Sequence, residues 1–111
     1  MINLEEMQRE QAEWGKKNFP DREQWEPLVG AVEELGELSH AFLKRKQGIR
    51  YPRDKATQMV RDGVGDVVIY LLDFCTAEGI SMEDILTETW DKVRRRDWLK
   101  DPVNGGDDPP E

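Results

Sequence analysis

The segment from Asp54 to Glu78 constrains the fold more than any other part of the sequence. Helical periodicity spreads Val64, Val67, Val68, Leu71, Leu72, Phe74 and Cys75 over more than half the circumference of one helix. A helix that apolar is a central one, covered on most sides. Asp62, Asp66, Tyr70 and Asp73 nevertheless run as a polar seam down what remains. A carboxylate so near the centre of a helical assembly is costly unless it is paired or holds a metal. Gly63 and Gly65 flank the acids, and a glycine inside a helix costs about 1 kcal/mol relative to alanine. They read either as packing notches or as places where a ligand or a second helix approaches the backbone.

The rest of the chain is also helical, and no stretch alternates like a strand. Asn3 and Glu6 form a capping pair for a first helix that is predicted to run to about Asn18, with Leu4, Met7, Gln11 and Trp14 on its inward stripe. Phe19-Pro20-Asp21 is the turn, and Asp21 or a near neighbour is expected to cap a second helix that Gly48 stops. The third helix ends at Gly79, and Ser81 with Asp84 opens a fourth that is predicted to reach about Trp98. The remainder, from residue 99 to 111, is rich in Pro, Gly and Asp and reads as a flexible tail. One all-α domain over residues 1–98 follows, a four-helix bundle-like unit with two central antiparallel helices.

The second helix answers the polar seam of the third. Its apolar stripe is Leu28, Ala31, Val32, Leu35, Leu38 and Phe42; Glu34 borders it, and Glu37 and Glu33 continue around the helix. At about 100° per residue, Glu34 and Glu37 stand roughly 60° apart, and Asp62 and Asp66 roughly 40° apart. Each helix thus presents a pair of carboxylates one turn apart. Two such faces brought together make an oxygen-only nest suited to Mg²⁺ or Mn²⁺. Lys44 and Arg45 follow two turns later, placed to meet the phosphates of a ligand held by the metal. The bland alternative is a solvated acidic face, which a chain that is 36% charged often has.

Charge and cysteine content narrow the setting. The 111 residues carry a net charge of −8, from 24 acidic and 16 basic side chains. Duplex nucleic acid and anionic membranes would be repelled by that surface. A small polyanion is still admissible when a metal and local basic residues neutralise it. The single cysteine, Cys75, lies in an apolar run and reads as a small buried hydrophobe. No signal sequence or membrane-spanning run is visible, so a cytoplasmic location is expected.

These residues resemble a known family. EELGEL, a spacer, and an acidic pair leading into GDVVIYLL are similar to the MazG-like all-α nucleoside triphosphate pyrophosphohydrolases, whose pattern is E-x-x-E followed by E-x-x-D. The resemblance covers roughly residues 25 to 98. Glu34 and Glu37 match the first pair, Asp66 the final Asp, and Glu33 the extra Glu that many members place before the pair. Gly63 stands where the pattern has Glu, and Asp62 projects onto the Asp66 face instead.

What the resemblance implies is Mg²⁺-dependent hydrolysis of a nucleoside triphosphate between the α and β phosphates, by a homodimer or homotetramer. Glu34, Glu37, Asp66 and Asp62 would hold the metal. Glu33, beside Glu34, would orient or deprotonate the attacking water.

Further substrate contacts are expected from Tyr70 on the polar seam and from Lys92 and Arg96, one turn apart on the fourth helix. Trp14 reads first as core and second as a ligand contact, and Asn18 as a helix end or a contact to base or sugar. Glu37-Leu38-Ser39-His40 raises a different class, because E-x-x-H is the spacing of four-helix di-iron proteins. Those sites need a second such motif, and the chain has 1 His. A third class is a catalytically inactive helical nucleotide- or partner-binding module. The apolar excess on the third helix, on the face of Val64, Val68, Leu71 and Cys75, predicts an interface with another copy of the chain.

Overall fold

The structure is a computed structural model that describes residues 3–106. Among the described residues there are four helices, α1 (Leu4–Asn18), α2 (Glu26–Gln47), α3 (Arg53–Glu78) and α4 (Met82–Val93), and no strand. The α2 and α3 helices are joined by a short turn and pack along their length as the antiparallel central pair. The α1 helix lies against α3, and α4 lies against α1.

The ends of these helices follow local chemistry. Asn3 Oδ1 accepts from the Glu6 amide at 3.0 Å, and Ser81 Oγ from the Asp84 amide at 3.2 Å, each satisfying an N-terminal donor that the helix leaves free. Gly48 (φ 73°) and Gly79 (φ 70°) take the left-handed conformation that ends α2 and α3. The amide of Ile80 then returns to the Cys75 carbonyl at 2.9 Å.

Two boundaries differ from expectation. Asp21 does not cap α2, which starts at Glu26 after Trp25. Pro27, in the first turn, has no amide to lose there, and the Glu26 carboxylate accepts from the Glu23 amide, so nucleation falls later in the chain. The α4 helix stops at Val93 rather than near Trp98. Arg95 and Arg96 donate to the Lys92 and Val93 carbonyls in tightened three-residue turns, and the Asp97 amide turns to Gly105 at 2.9 Å. Of the expected tail, residues 99–106 fold back through Asp101 N–H to Asp97 O and Gly105 N–H to Asp101 O, both 2.9 Å. Residues 107–111 lie outside the described residues.

The core is small. Leu72, Cys75 and Met82 are buried together with Leu4 and Met7 against them, so α1 and the start of α4 close over one face of α3. Cys75 is therefore the buried hydrophobe its sequence context suggests. Gln8 fixes the arrangement: its Nε2 donates to the Ile80 carbonyl and its Oε1 accepts from the Met82 amide, both at 2.9 Å.

Gly63 is a packing notch, since a Cβ there would stand 3.0 Å from Leu38 Cβ on α2. Gly65 meets nothing within 4 Å, so no contact within the chain requires it.

Much apolar surface is left open. Val32, Leu35 and Phe42 on α2 are exposed, as are Val64, Val68 and Leu71 on α3. The radius of gyration is 17.5 Å, where a compact domain of about 100 residues has about 13 Å. No helix of the described residues is long and apolar enough to cross a membrane.

Candidate active site

A cavity of about 590 Å³ lies between α1, the α1–α2 connection and the α2–α3 pair. Glu33 and Glu34 of α2 and Asp66 of α3 line it, whereas Glu37 and Asp62, the other members of the two expected pairs, do not. Glu37 is in hydrogen-bonding contact with Glu34. Burial is the first cause of the upward shift that holds the Glu34 carboxyl above its ordinary range. The charge of Glu37, its hydrogen bond, Asp66 and Glu33 follow in that order. Among the described residues, the carboxylates are thus crowded together without a basic side chain among the causes that shift Glu34. The one basic side chain lining the cavity, among the described residues, is Arg22, whose Nη2 is 2.5 Å from Asp73 Oδ1.

The donor set is made of oxygens alone and suits a hard divalent cation. As the side chains stand, no three acidic, His or Cys side chains among the described residues are grouped to hold a metal ion. Glu33, Glu37 and Asp66 are exposed, and a change of rotamer at any of them alters how these oxygens are disposed. Asp62 is farther from this arrangement. Its Oδ1 accepts from Gln58 Nε2 at 2.8 Å one turn away on α3, and it does not line the cavity.

The other walls are aromatic. Trp14 is 54% exposed, lines the cavity and meets the Phe19 ring edge-on at 5.7 Å between centroids, so it is not the core residue that its stripe suggested. Trp25 and Tyr70 complete these walls. Burial, then the charges of Glu34, Glu33, Asp66 and Asp73, raise the Tyr70 pKa, so its phenol remains a hydrogen-bond donor.

Gly30 is what seats that ring, because a Cβ there would stand 2.3 Å from Tyr70 Cε1. In a Gly30→Ala variant the clash, about 1–3 kcal/mol, outweighs the gain in helix propensity of about 1 kcal/mol. Stability should fall by about 1 kcal/mol in denaturant titration, and any ligand of the cavity should bind less tightly as Tyr70 is displaced. Unchanged stability together with unchanged ligand affinity would show that the ring has room to spare.

The remaining residues expected to touch substrate are elsewhere. Lys44 Nζ donates to Gln47 Oε1 at 3.1 Å, and Arg45 donates to Thr57 Oγ1 at 3.1 Å while lying over the Phe42 ring. Lys92 lies in the last turn of α4 and Arg96 beyond it, so they do not share a helix face. None of these four cations lines the cavity. Asn18 Nδ2 donates to the Trp14 carbonyl at 2.9 Å and closes its own helix. His40 meets the Tyr51 hydroxyl at 3.4 Å, towards the α2–α3 turn, rather than extending the acidic group.

Phe19, Arg22, Trp25 and Asp73 join the cavity without having been singled out as site residues. An aromatic and basic composition in the α1–α2 connection was the available signal, but only the chain path shows that it folds back over α3. Comparison with curated proteins and with solved structures gives no match. The MazG nucleotide pyrophosphohydrolase domain matches residues 27–98, the two central helices and α4 with the turn after it, and the chain belongs to that family.

Proposed function

We propose that this protein is a Mg²⁺-dependent nucleoside triphosphate pyrophosphohydrolase. Water adds across the anhydride between the α and β phosphates, and the products are the nucleoside monophosphate and pyrophosphate. The observation that carries this reading is the acidic edge of Glu33, Glu34 and Asp66 on an aromatic cavity of nucleoside size, in a chain of the MazG family. Glu34, Glu37 and Asp66 would hold the metal, with Asp62 brought in only by rotation away from Gln58. The cation, when bound, supplies Lewis-acid polarisation of the phosphates and neutralises their charge.

The residues of the chain position and desolvate. Trp14 and Trp25 would offer faces for a base, Tyr70 a hydroxyl donor, and Glu33, which also lines the cavity, would orient a water. Such a reaction on the nucleotide pool belongs in the cytoplasm.

A panel of ribo- and deoxynucleotides with Mg²⁺, assayed separately for monophosphate, pyrophosphate and orthophosphate, tests the reading. Equimolar monophosphate and pyrophosphate are expected from triphosphates, and none after chelation. Orthophosphate as the sole product would place the cleavage at another bond and remove this assignment.

The same proposal includes a homodimer or a larger homo-oligomer. Val64, Val68 and Leu71 recur at one helical face of α3, all exposed, and Gly65 beside them is open to close approach.

A further inference from the structure

Part of the aromatic wall of the cavity has little to hold it by burial. Phe19 and Trp25 line the cavity and are each more than half exposed. Both belong to the connection of residues 19–25, which is neither helix nor strand. Backbone of that kind is the more mobile part of a fold unless something ties it down.

Two side-chain bonds tie the connection to α3. Gln24 Nε2 donates to the Glu78 carboxylate at the exposed surface. Arg22 Nη2 donates to Asp73 Oδ1 at 2.5 Å, with the two side chains 22% and 10% exposed. Water competes for the first bond, whereas the second is charge-assisted and shielded, so it is the stronger tie. Arg22 is also the middle of the segment, three residues from Phe19 and three from Trp25. Its amide donates to the Phe19 carbonyl at 3.3 Å, which links the pinned residue to the first ring.

Stability alone does not account for the pair. A buried ion pair is seldom more stabilising than apolar side chains of similar volume. What it supplies is a directional contact between residues 51 positions apart. The pair is also set apart from the phosphate chemistry. Asp73 lies seven residues beyond Asp66 on α3, about 10 Å along the helix axis.

We infer that Arg22 and Asp73 are positioning residues, which pin the α1–α2 connection to α3 and so hold the Phe19 and Trp25 wall ready for the nucleoside part of a nucleotide. This inference rests on the nucleotide reading of the cavity and adds what keeps its irregular wall in place. A wall already ordered spares the ligand the cost of ordering it on binding.

Calorimetric titration of the full chain with α,β-methylene analogues of the common deoxynucleoside triphosphates, in Mg²⁺, reads nucleotide binding without turnover. Inorganic tripolyphosphate, which has neither base nor sugar, is the companion ligand. Arg22→Met and Asp73→Leu should each weaken the best-bound analogue at least about tenfold, the order of the loss of one base–aromatic contact. Tripolyphosphate affinity should not change, because the acidic residues Glu34 and Asp66 are untouched. Arg22→Lys keeps a cation for Asp73 and should recover most of the loss. Where a single variant fails to fold, the double variant Arg22→Met with Asp73→Leu leaves no unpaired charge and carries the same expectation. Trp25→Ala should then cost the double variant much less nucleotide affinity than it costs the wild type, because the two changes act through one wall.

Equal weakening of both ligands would mean a general loosening of the fold and would overturn the inference. So would Asp73→Leu at wild-type affinity, full additivity with Trp25→Ala, or a wild type that binds none of the analogues. Pyrophosphate release by a protein whose nucleotide affinity ignores the pair would sink the positioning and leave the hydrolase. Pair-dependent binding without pyrophosphate release from any triphosphate would do the reverse.

Discussion

Glu34→Gln and Asp66→Asn are each expected to lower kcat by at least about 100-fold, since groups that merely support a metal ligand are already worth 10–100-fold. Glu34 stands among Glu33, Glu37 and Asp66, and Asp66 is the α3 carboxylate whose charge reaches it. The amides keep nearly the same volume and lose the charge, so far-ultraviolet circular dichroism should remain unchanged. Pyrophosphate release measured at saturating Mg²⁺ checks the claim. Activity within a few-fold of wild type in either variant would remove that residue from the site.

The same crowding gives an opposite signature in stability. The folded chain holds the Glu34 proton more tightly than the unfolded chain does, because of burial and then its acidic neighbours. Its contribution to stability is full below the ordinary glutamate range and is lost as pH rises through the higher folded-state value. At a pH above both values, without metal, the charged Glu34 therefore opposes folding. Metal-free Glu34→Gln should melt slightly above the wild type there, and the difference should vanish in acid. Mg²⁺ should raise the melting temperature of the wild type and do so less in the variant. A variant that melts below the wild type without metal would contradict the electrostatic picture.

How far the sequence foretold this arrangement depends on the range of the interaction concerned. Helix existence and the caps at Asn3, Ser81, Gly48 and Gly79 were legible because each depends on residues within a turn or two. The meeting of Glu34 with Asp66 was legible because two antiparallel helices with acids on facing seams have few other ways to pack. The start of α2 was missed because Pro27 and the Glu26 carboxylate outweighed a capping Asp21. The end of α4 was missed because the chain beyond it folds back, and Gly105, rather than a helical carbonyl, takes the Asp97 amide.

The cavity was only half legible. Arg22 and Asp73 are 51 positions apart and no periodicity relates them. Trp14 shares a stripe with Leu4 and Met7, yet those two pack against the core while its ring opens onto the cavity. A stripe records which residues share a direction, and the space left between the neighbouring elements decides which of them are covered.

If α3 joins two copies as proposed, Leu71→Asp is expected to give monomer or aggregate, with loss of both stability and activity. Leu71 is 36% exposed in the single chain, with Val64 at 52% and Val68 at 42% on the same face. Within an isolated chain the substitution would place a charge at a half-open position and cost little. In an assembly it would bury an unpaired carboxylate against apolar side chains, which costs several kcal/mol. Gly65→Ala separates the two situations more sharply. A Cβ at Gly65 meets nothing within 4 Å inside the chain, and alanine should gain about 1 kcal/mol of helix propensity. An isolated chain would therefore be stabilised, whereas a close helix–helix contact through Gly65 would be forced apart and weakened. Sedimentation velocity and thermal melts on both variants read these outcomes directly. A wild-type protein that sediments as an active monomer, with Gly65→Ala more stable than wild type, would show that α3 has no partner and that its apolar face is simply open to solvent.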